Sequence, residues 1–349
     1  MFRKLLSLAL CLCMALTLTS AVAEGTSFTV TDMTGREVEL AAPAQRIVAL
    51  TASDCEILYA IGAGDLLVGR GTYCDYPAEV SELPVVASGA DTNVEQILAL
   101  EPDVLIMSTM AQTEEQVAAL EAAGVRVIVS DAQDIAGVYD AITLIGEVCG
   151  KTAEADALVA DMKAGFEEIA AKAENSGKTV YFEVSPLQYG LWTAGKGTFM
   201  DELATMCGLT NAFADVEGWS GISEEQVLER DPDYIVTITM YYGEGPTPVE
   251  EIASRAGWEN LKAVQNGNIY NADSNAVSRP GPRLKDAAEA LYIPADDAAG
   301  QASFTVWQEG IALTKKLNTV RSAKDLFFPQ VENLVGFRVT GKQLDLVET

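Results

Sequence analysis

The thirteen residues from Val94 to Ile106 return 130 positions later, from Glu224 to Val236, with five identities (Glu95/Glu225, Gln96/Gln226, Leu98/Leu228, Pro102/Pro232, Asp103/Asp233) and four replacements of like chemistry. In both copies a short helix is stopped at a proline, which has no N–H to donate, and the chain passes through an aspartate into an aliphatic strand. A second echo agrees: Glu56-Ile57-Leu58 leading to Gly62 has the spacing of Glu202-Leu203-Ala204 leading to Gly208. A solenoid would repeat every 20 to 50 residues or so; a repeat this long means two similar lobes of ordinary domain size.

The pattern around the repeats fits. Residues 28–40 alternate about Thr34-Gly35 and read as a hairpin. Strands are expected at 47–50, 67–69, 104–107 and 125–129, with helices at 53–61, 93–100 and 113–123, the alternation of a parallel, three-layered α/β lobe. From Ile135 the pattern changes, and 152–175 is continuous, alanine-rich and free of proline, with Ala157, Leu158, Met162, Phe166, Ile169 and Ala170 near helical spacing. Such a helix, about 36 Å long, can join two lobes and resists bending. A second alternation runs from 179–184 through 234–237 and 268–270 to a helix after Arg283. The expected division is a leader at 1–23, lobes at 24–150 and 177–293, the helix at 151–176 between them, and an extension at 294–349 holding a helix near 306–317 and a terminal hairpin.

Arg3-Lys4, an uncharged run from Leu5 to Thr19 and Ala21-Val22-Ala23 form a secretory leader with a small-residue cleavage site; the run is short for a membrane span. Cys11 and Cys13 lie inside the run, each after a leucine, which favours cleavage over lipid attachment. Cys55, Cys74, Cys149 and Cys207 remain, too widely spaced to reveal a pairing. The net charge of −28, deepened when Arg3 and Lys4 leave, repels nucleic acid and anionic lipid. Histidine is absent, which excludes a Ser-His-Asp triad, a Cys-His pair, and histidine ligation of zinc or haem. Gly218-Trp219-Ser220-Gly221 lacks the last glycine of a hydrolase elbow, and Gly62-Ala63-Gly64 follows a helix where a dinucleotide fingerprint follows a strand. No enzyme chemistry, metal site or resident cofactor is expected.

Residues 28–293 resemble the substrate-binding proteins of ABC importers for iron–siderophore complexes, haem and vitamin B12. The likeness rests on Arg46 to Gly62, Tyr73-Cys74-Asp75-Tyr76-Pro77, Asn93 to Asp103, Gly218 to Gln226 and Ser278-Arg279-Pro280-Gly281-Pro282-Arg283. The resemblance implies two Rossmann-like lobes joined by one long helix, with a ligand cleft between the lobes. It implies a monomer outside the cytoplasm that hands a metal chelate, siderophore or cobamide, to a permease dimer; the ligand, rather than the protein, would carry iron or cobalt. A secreted adhesion module and a haem or metal trap stay open as alternatives.

By the same resemblance Glu95 and Glu225, second residues of the repeated helices, are expected to meet arginines of the permease. Tyr73 in the first lobe, and Trp192, Trp219, Tyr241 or Tyr242, and Arg279 in the second, match pocket positions. Flat rings suit a corrin, a porphyrin or a catechol. Trp192 and Trp219 are read as loop residues flanked by glycine, although a tryptophan also serves as core. Arg279 suits a carboxylate, phosphate or catecholate, or equally an ion pair holding the last helix; Arg283 is assigned to helix packing.

Overall fold

The computed structural model describes residues 27–89, 92–109, 113–241 and 245–291, with the backbone of 337–340 and 343–346. The chain divides into two compact units, residues 1–132 with 136–161, and 133–135 with 162–349. The leader and the helix expected at 306–317 lie outside the described residues.

The first unit begins with an antiparallel hairpin, β1 (Phe28–Thr31) and β2 (Glu37–Leu40). Five strands follow, β3 (Ile47–Ala49), β4 (Leu67–Gly71), β5 (Val85–Val86), β6 (Val104–Met107) and β7 (Arg126–Val129), all parallel in the order β5-β4-β3-β6-β7. The crossovers contain α1 (Ala52–Ala60), α2 (Val94–Ala99) and α3 (Glu114–Ala122). Every residue of β3 and β6 is buried, as expected for central parallel strands covered on both faces. From β3 the chain steps to β4 and β5 on one flank and then to β6 and β7 on the other. The reversal between β3 and β6 is where α/β sheets place ligands, beyond the carboxyl ends of the strands.

Two helices follow, α4 (Ile135–Cys149) and α5 (Thr152–Lys172). The first is a finding beyond the sequence reading. It contains Gly137 and Gly146 among β-branched residues, and a Cβ on Gly146 would stand 2.4 Å from the Ala155 Cβ, so close packing on α5 sets this helix where propensity does not. The helix α5 ends three residues before Asn175, and the division between units falls inside it, after Asp161.

In the second unit β8 (Thr179–Glu183), β10 (Thr210–Asn211), β12 (Tyr234–Thr237) and β13 (Ile269–Asn271) are parallel in the order β10-β8-β12-β13. This is the order β4-β3-β6-β7 repeated. Between them lie the ribbon strands β9 (Trp192–Ala194) and β11 (Trp219–Gly221), and the helices α6 (Phe199–Met206), α7 (Glu224–Arg230), α8 (Pro248–Ala253) and α9 (Lys262–Gln265); α10 (Ser274–Ser278) and α11 (Leu284–Leu291) follow β13. Tyr181, Phe213, Val227, Ile235, Ile252 and Trp258 form its core. A terminal hairpin pairs β14 (Phe337–Thr340) with β15 (Gln343–Leu346).

The repeat read from sequence is repeated in backbone detail. Among the described residues only Glu101 and Asp231 have a positive φ without being glycine, at 49° and 45°, and each stands just before the proline that ends its helix. The aspartates that follow act alike. Asp103 accepts the amides of Gln45 and Arg46 at 2.8 and 3.0 Å, and Asp233 accepts that of Thr179 at 3.0 Å. Each thereby fixes the entry to its unit's first central strand. The second echo is a shared C-cap: Gly62 and Gly208 have φ of 70° and 74°, and Ala63 N donates to Leu58 O at 2.7 Å as Leu209 N does to Ala204 O at 2.9 Å.

Candidate functional site

At the carboxyl end of β4 the ring of Tyr73 is 78% exposed while its neighbour Cys74 is fully buried. The loop is tied down by Arg70, whose Nη1 donates to the Cys74 carbonyl at 2.8 Å and whose Nη2 donates to that of Ser81 at 3.2 Å. Gly71 is required here, because a Cβ would stand 2.1 Å from the Leu50 carbonyl oxygen. At the end of the neighbouring strand β3, Thr51 caps α1 and its hydroxyl donates to the carboxylate of Asp54. Burial pushes the Asp54 carboxyl up to about 6; hydrogen bonds from Thr51 and Ser130 oppose the shift, and the Asp131 charge adds to it.

In the second unit the structure corrects the sequence reading of the two tryptophans. Trp192 opens β9 and Trp219 opens β11, and the two strands pair antiparallel, Trp219 opposite Ala194 and Gly221 opposite Trp192. Each strand has three residues, too few for alternation to show in sequence. The ribbon needs a glycine at 195, where a Cβ would stand 2.1 Å from the Val216 carbonyl oxygen; a Cβ on Gly221 would make only ordinary contact with the Trp192 indole, at 3.6 Å. Trp219 is half-buried with its ring 5.3 Å from that of Phe199, whereas Trp192 remains 46% exposed. The tight turn ahead of β9 adds Tyr189, 77% exposed, which the sequence reading missed although Tyr189-Gly190 has the aromatic-with-glycine signature used for the tryptophans.

Tyr241, beyond the end of β12, is exposed and its hydroxyl donates to the Gly245 carbonyl at 3.1 Å. Tyr242 lies outside the described residues. Arg279 is half-buried in extended backbone directly after α10. Arg283 donates to the Asn275 carbonyl of α10 at 3.2 Å, consistent with a packing role.

The repeated helices present their glutamates alike. Asn93 caps α2 by accepting from Gln96 N, Ser223 caps α7 by accepting from Gln226 N, and Ile97 and Val227 are the buried anchors. Glu95 and Glu225 are exposed. The Glu225 carboxyl is held below the usual range by its own backbone amide and then by the Ser223 hydroxyl. Negative charge in the first turn also suits the helix dipole. The helix α7 is further fixed by a hydrogen bond of 2.9 Å from the buried Trp258 indole to Glu224.

Comparison with known proteins gives a consistent result. The family model described as periplasmic binding protein matches residues 47–276. An uncharacterised ABC transporter substrate-binding lipoprotein of Bacillus subtilis (strain 168) is 35% identical over 270 residues, 75% of this chain and 83% of that protein. Its lipoprotein name stands against the lipid-free leader expected from Cys11 and Cys13. The vitamin B12-binding protein of Vibrio cholerae is 29% identical over 249 residues, 71% of this chain and 87% of that one. Among solved structures, a possible iron-binding (periplasmic solute-binding) protein from Staphylococcus epidermidis is 30% identical with a TM-score of 0.61, covering 73% of this chain and 98% of that one.

Proposed function

Starting from the fact that this chain belongs to the periplasmic binding protein family, we propose that it captures a corrinoid outside the cytoplasm and delivers it to an ABC importer. The observation that carries this reading is the exposure of Tyr73 after β4, of Tyr189 after β8, and in part of Trp192 at the start of β9. Exposed aromatic faces of this kind bind flat, partly apolar ligands. A net charge of −28 and the absence of histidine favour a corrinoid over a polyanionic ferric catecholate or a histidine-ligated haem. The ligand groups are Tyr73, Tyr189, Trp192, Trp219, Tyr241, Tyr242 and Arg279. The protein does no chemistry on its ligand.

Calorimetric titration of the mature protein with cyanocobalamin, a ferric hydroxamate and haemin tests the reading. Saturable binding of cyanocobalamin, with the other two failing to compete, supports it; hydroxamate binding alone assigns the protein to iron uptake. Trp192→Ala should weaken the corrinoid by about 2 kcal/mol, roughly 30-fold, with little change in melting temperature because the ring is half in solvent. An unchanged affinity removes Trp192 from the site.

Glu95 and Glu225 serve the permease. A carboxylate facing an arginine makes a bidentate, charge-assisted contact that sets orientation more than affinity. Changing both to alanine should leave calorimetric ligand binding intact and cut corrinoid uptake by cells to near background. Uptake that survives the double change rejects the docking role.

A further inference from the structure

Of the four cysteines described, two converge. Cys55 lies in the first turn of α1, just past the end of β3, and Cys74 follows the end of β4 by three residues. These strands are hydrogen-bonded neighbours, Ala49 opposite Arg70, so both thiols stand at adjacent carboxyl ends. Both are fully buried and both Sγ atoms point at one oxygen, the Ala49 carbonyl, at 3.9 and 4.0 Å. Just upstream of them the chain ends of the two strands lie close together, since a Cβ on Gly71 would stand 2.1 Å from the Leu50 carbonyl oxygen. The Cys74 side chain, and then burial, push the Cys55 thiol well above its ordinary range, as close neighbours do. The other two are engaged elsewhere: Cys207 Sγ donates to the Ala288 carbonyl at 3.3 Å, and Cys149 ends α4.

We propose that Cys55 and Cys74 form a disulfide when the protein folds outside the cytoplasm, tying the start of α1 to the loop that presents Tyr73. The step is a thiol–disulfide exchange. Each thiol loses its proton, the Sγ–Sγ bond forms, and two electrons pass to the disulfide of an exported dithiol oxidase, which leaves as two thiols. Oxidised glutathione replaces it in vitro. Because neither sulfur is accessible in the finished fold, the bond closes during folding, before the loop packs on α1. The inference rests on the extracytoplasmic reading and is independent of which ligand is bound.

Refolding the reduced mature chain in a glutathione redox buffer, quenching with acid, denaturing and alkylating with iodoacetamide tests it. Peptide mass spectrometry should find Cys149 and Cys207 alkylated and the peptides of Cys55 and Cys74 joined. Alkylation of all four, or a link from either residue to Cys149 or Cys207, overturns the proposal. Protein reduced in denaturant and refolded in dithiothreitol should melt about 5 °C below the oxidised form, from the loop-closure entropy of the intervening chain. Cys74→Ala should show no such loss, and an unchanged wild-type midpoint overturns the structural tie. The same alkylation on protein exported by cells, giving a linked pair there, confirms that the host supplies the oxidant; free thiols there with linkage in vitro overturn the bond as a feature of the native protein.

Discussion

Replacing Arg255 by alanine is expected to destabilise the second unit by about 3 to 5 kcal/mol, the largest effect of any single change argued from this fold. Arg255, only 3% exposed in its side chain, grips Glu183 through Nη1 and Nη2 at 2.6 and 2.9 Å and Glu251 through Nη2 and Nε at 2.6 and 3.0 Å, and lies 4.5 Å over the ring of Trp258. Glu183 closes the central strand β8 and is 1% exposed. Burial raises its carboxyl above the ordinary range even though Arg255 pulls the other way, so desolvation outweighs the pairing already. Without the cation, a charge would stand alone in the core. The sign of the pH dependence follows: a carboxylate raised in the folded state takes up a proton on folding, so the variant's deficit shrinks at low pH and is complete above its folded range. Urea unfolding followed by tryptophan fluorescence at pH 5 and pH 8 checks this, with the greater loss expected at pH 8. Replacing Arg255 and Glu183 together by apolar residues of similar volume should cost less than removing the arginine alone. Equal costs would mean that packing, and not the stranded charge, decides.

Asp54→Asn should act in the opposite direction, raising stability by about 3 kcal/mol at neutral pH. The side chain is buried, its Oδ1 has no hydrogen-bond partner, and its carboxyl is pushed up from 3.8 to about 6, chiefly by burial. Between those two values the folded state binds the proton that the unfolded state releases, so stability falls as pH rises through this window and stays low above it. The asparagine variant lacks that slope. Its advantage should therefore be absent below pH 4, grow through pH 5 and level off above pH 6. Thermal melts across that range measure it; an advantage that does not vary with pH would show that Asp54 is already neutral or already solvated.

Much of the fold was legible because the sequence repeats its punctuation. Pro102 and Pro232, with the aspartates behind them, mark the same helix end and strand entry, and both β6 and β12 begin within two residues of the proline. The helix α4 was not legible, since its glycines and β-branched residues argue against a helix until α5 is there to pack on it. Likewise Trp192 and Trp219 look like loop residues because the ribbon that holds them is three residues wide and is closed by glycine contacts from Val216 and Gly218. Tyr189 escaped for a different reason: Gly190 beside it hints at an exposed turn, but Tyr242 also precedes a glycine, so that signature alone does not single out one of eleven tyrosines. The pairing of Glu183 with Arg255 joins residues 72 apart in the chain and has no local signature.

The first unit offers almost no free backbone along its sheet margins. One margin is β5, only two residues long, and the other, β7, is covered by the opening hairpin, where Met33 N donates to the Val129 carbonyl at 3.0 Å and Arg36 to that of Val127 at 2.8 Å. A passing chain finds no run of unpaired amides there on which to extend the sheet, the route by which parallel β-structure polymerises. Deleting the residues before Gln45 would uncover that template, and self-association is the hazard such a truncation would bring.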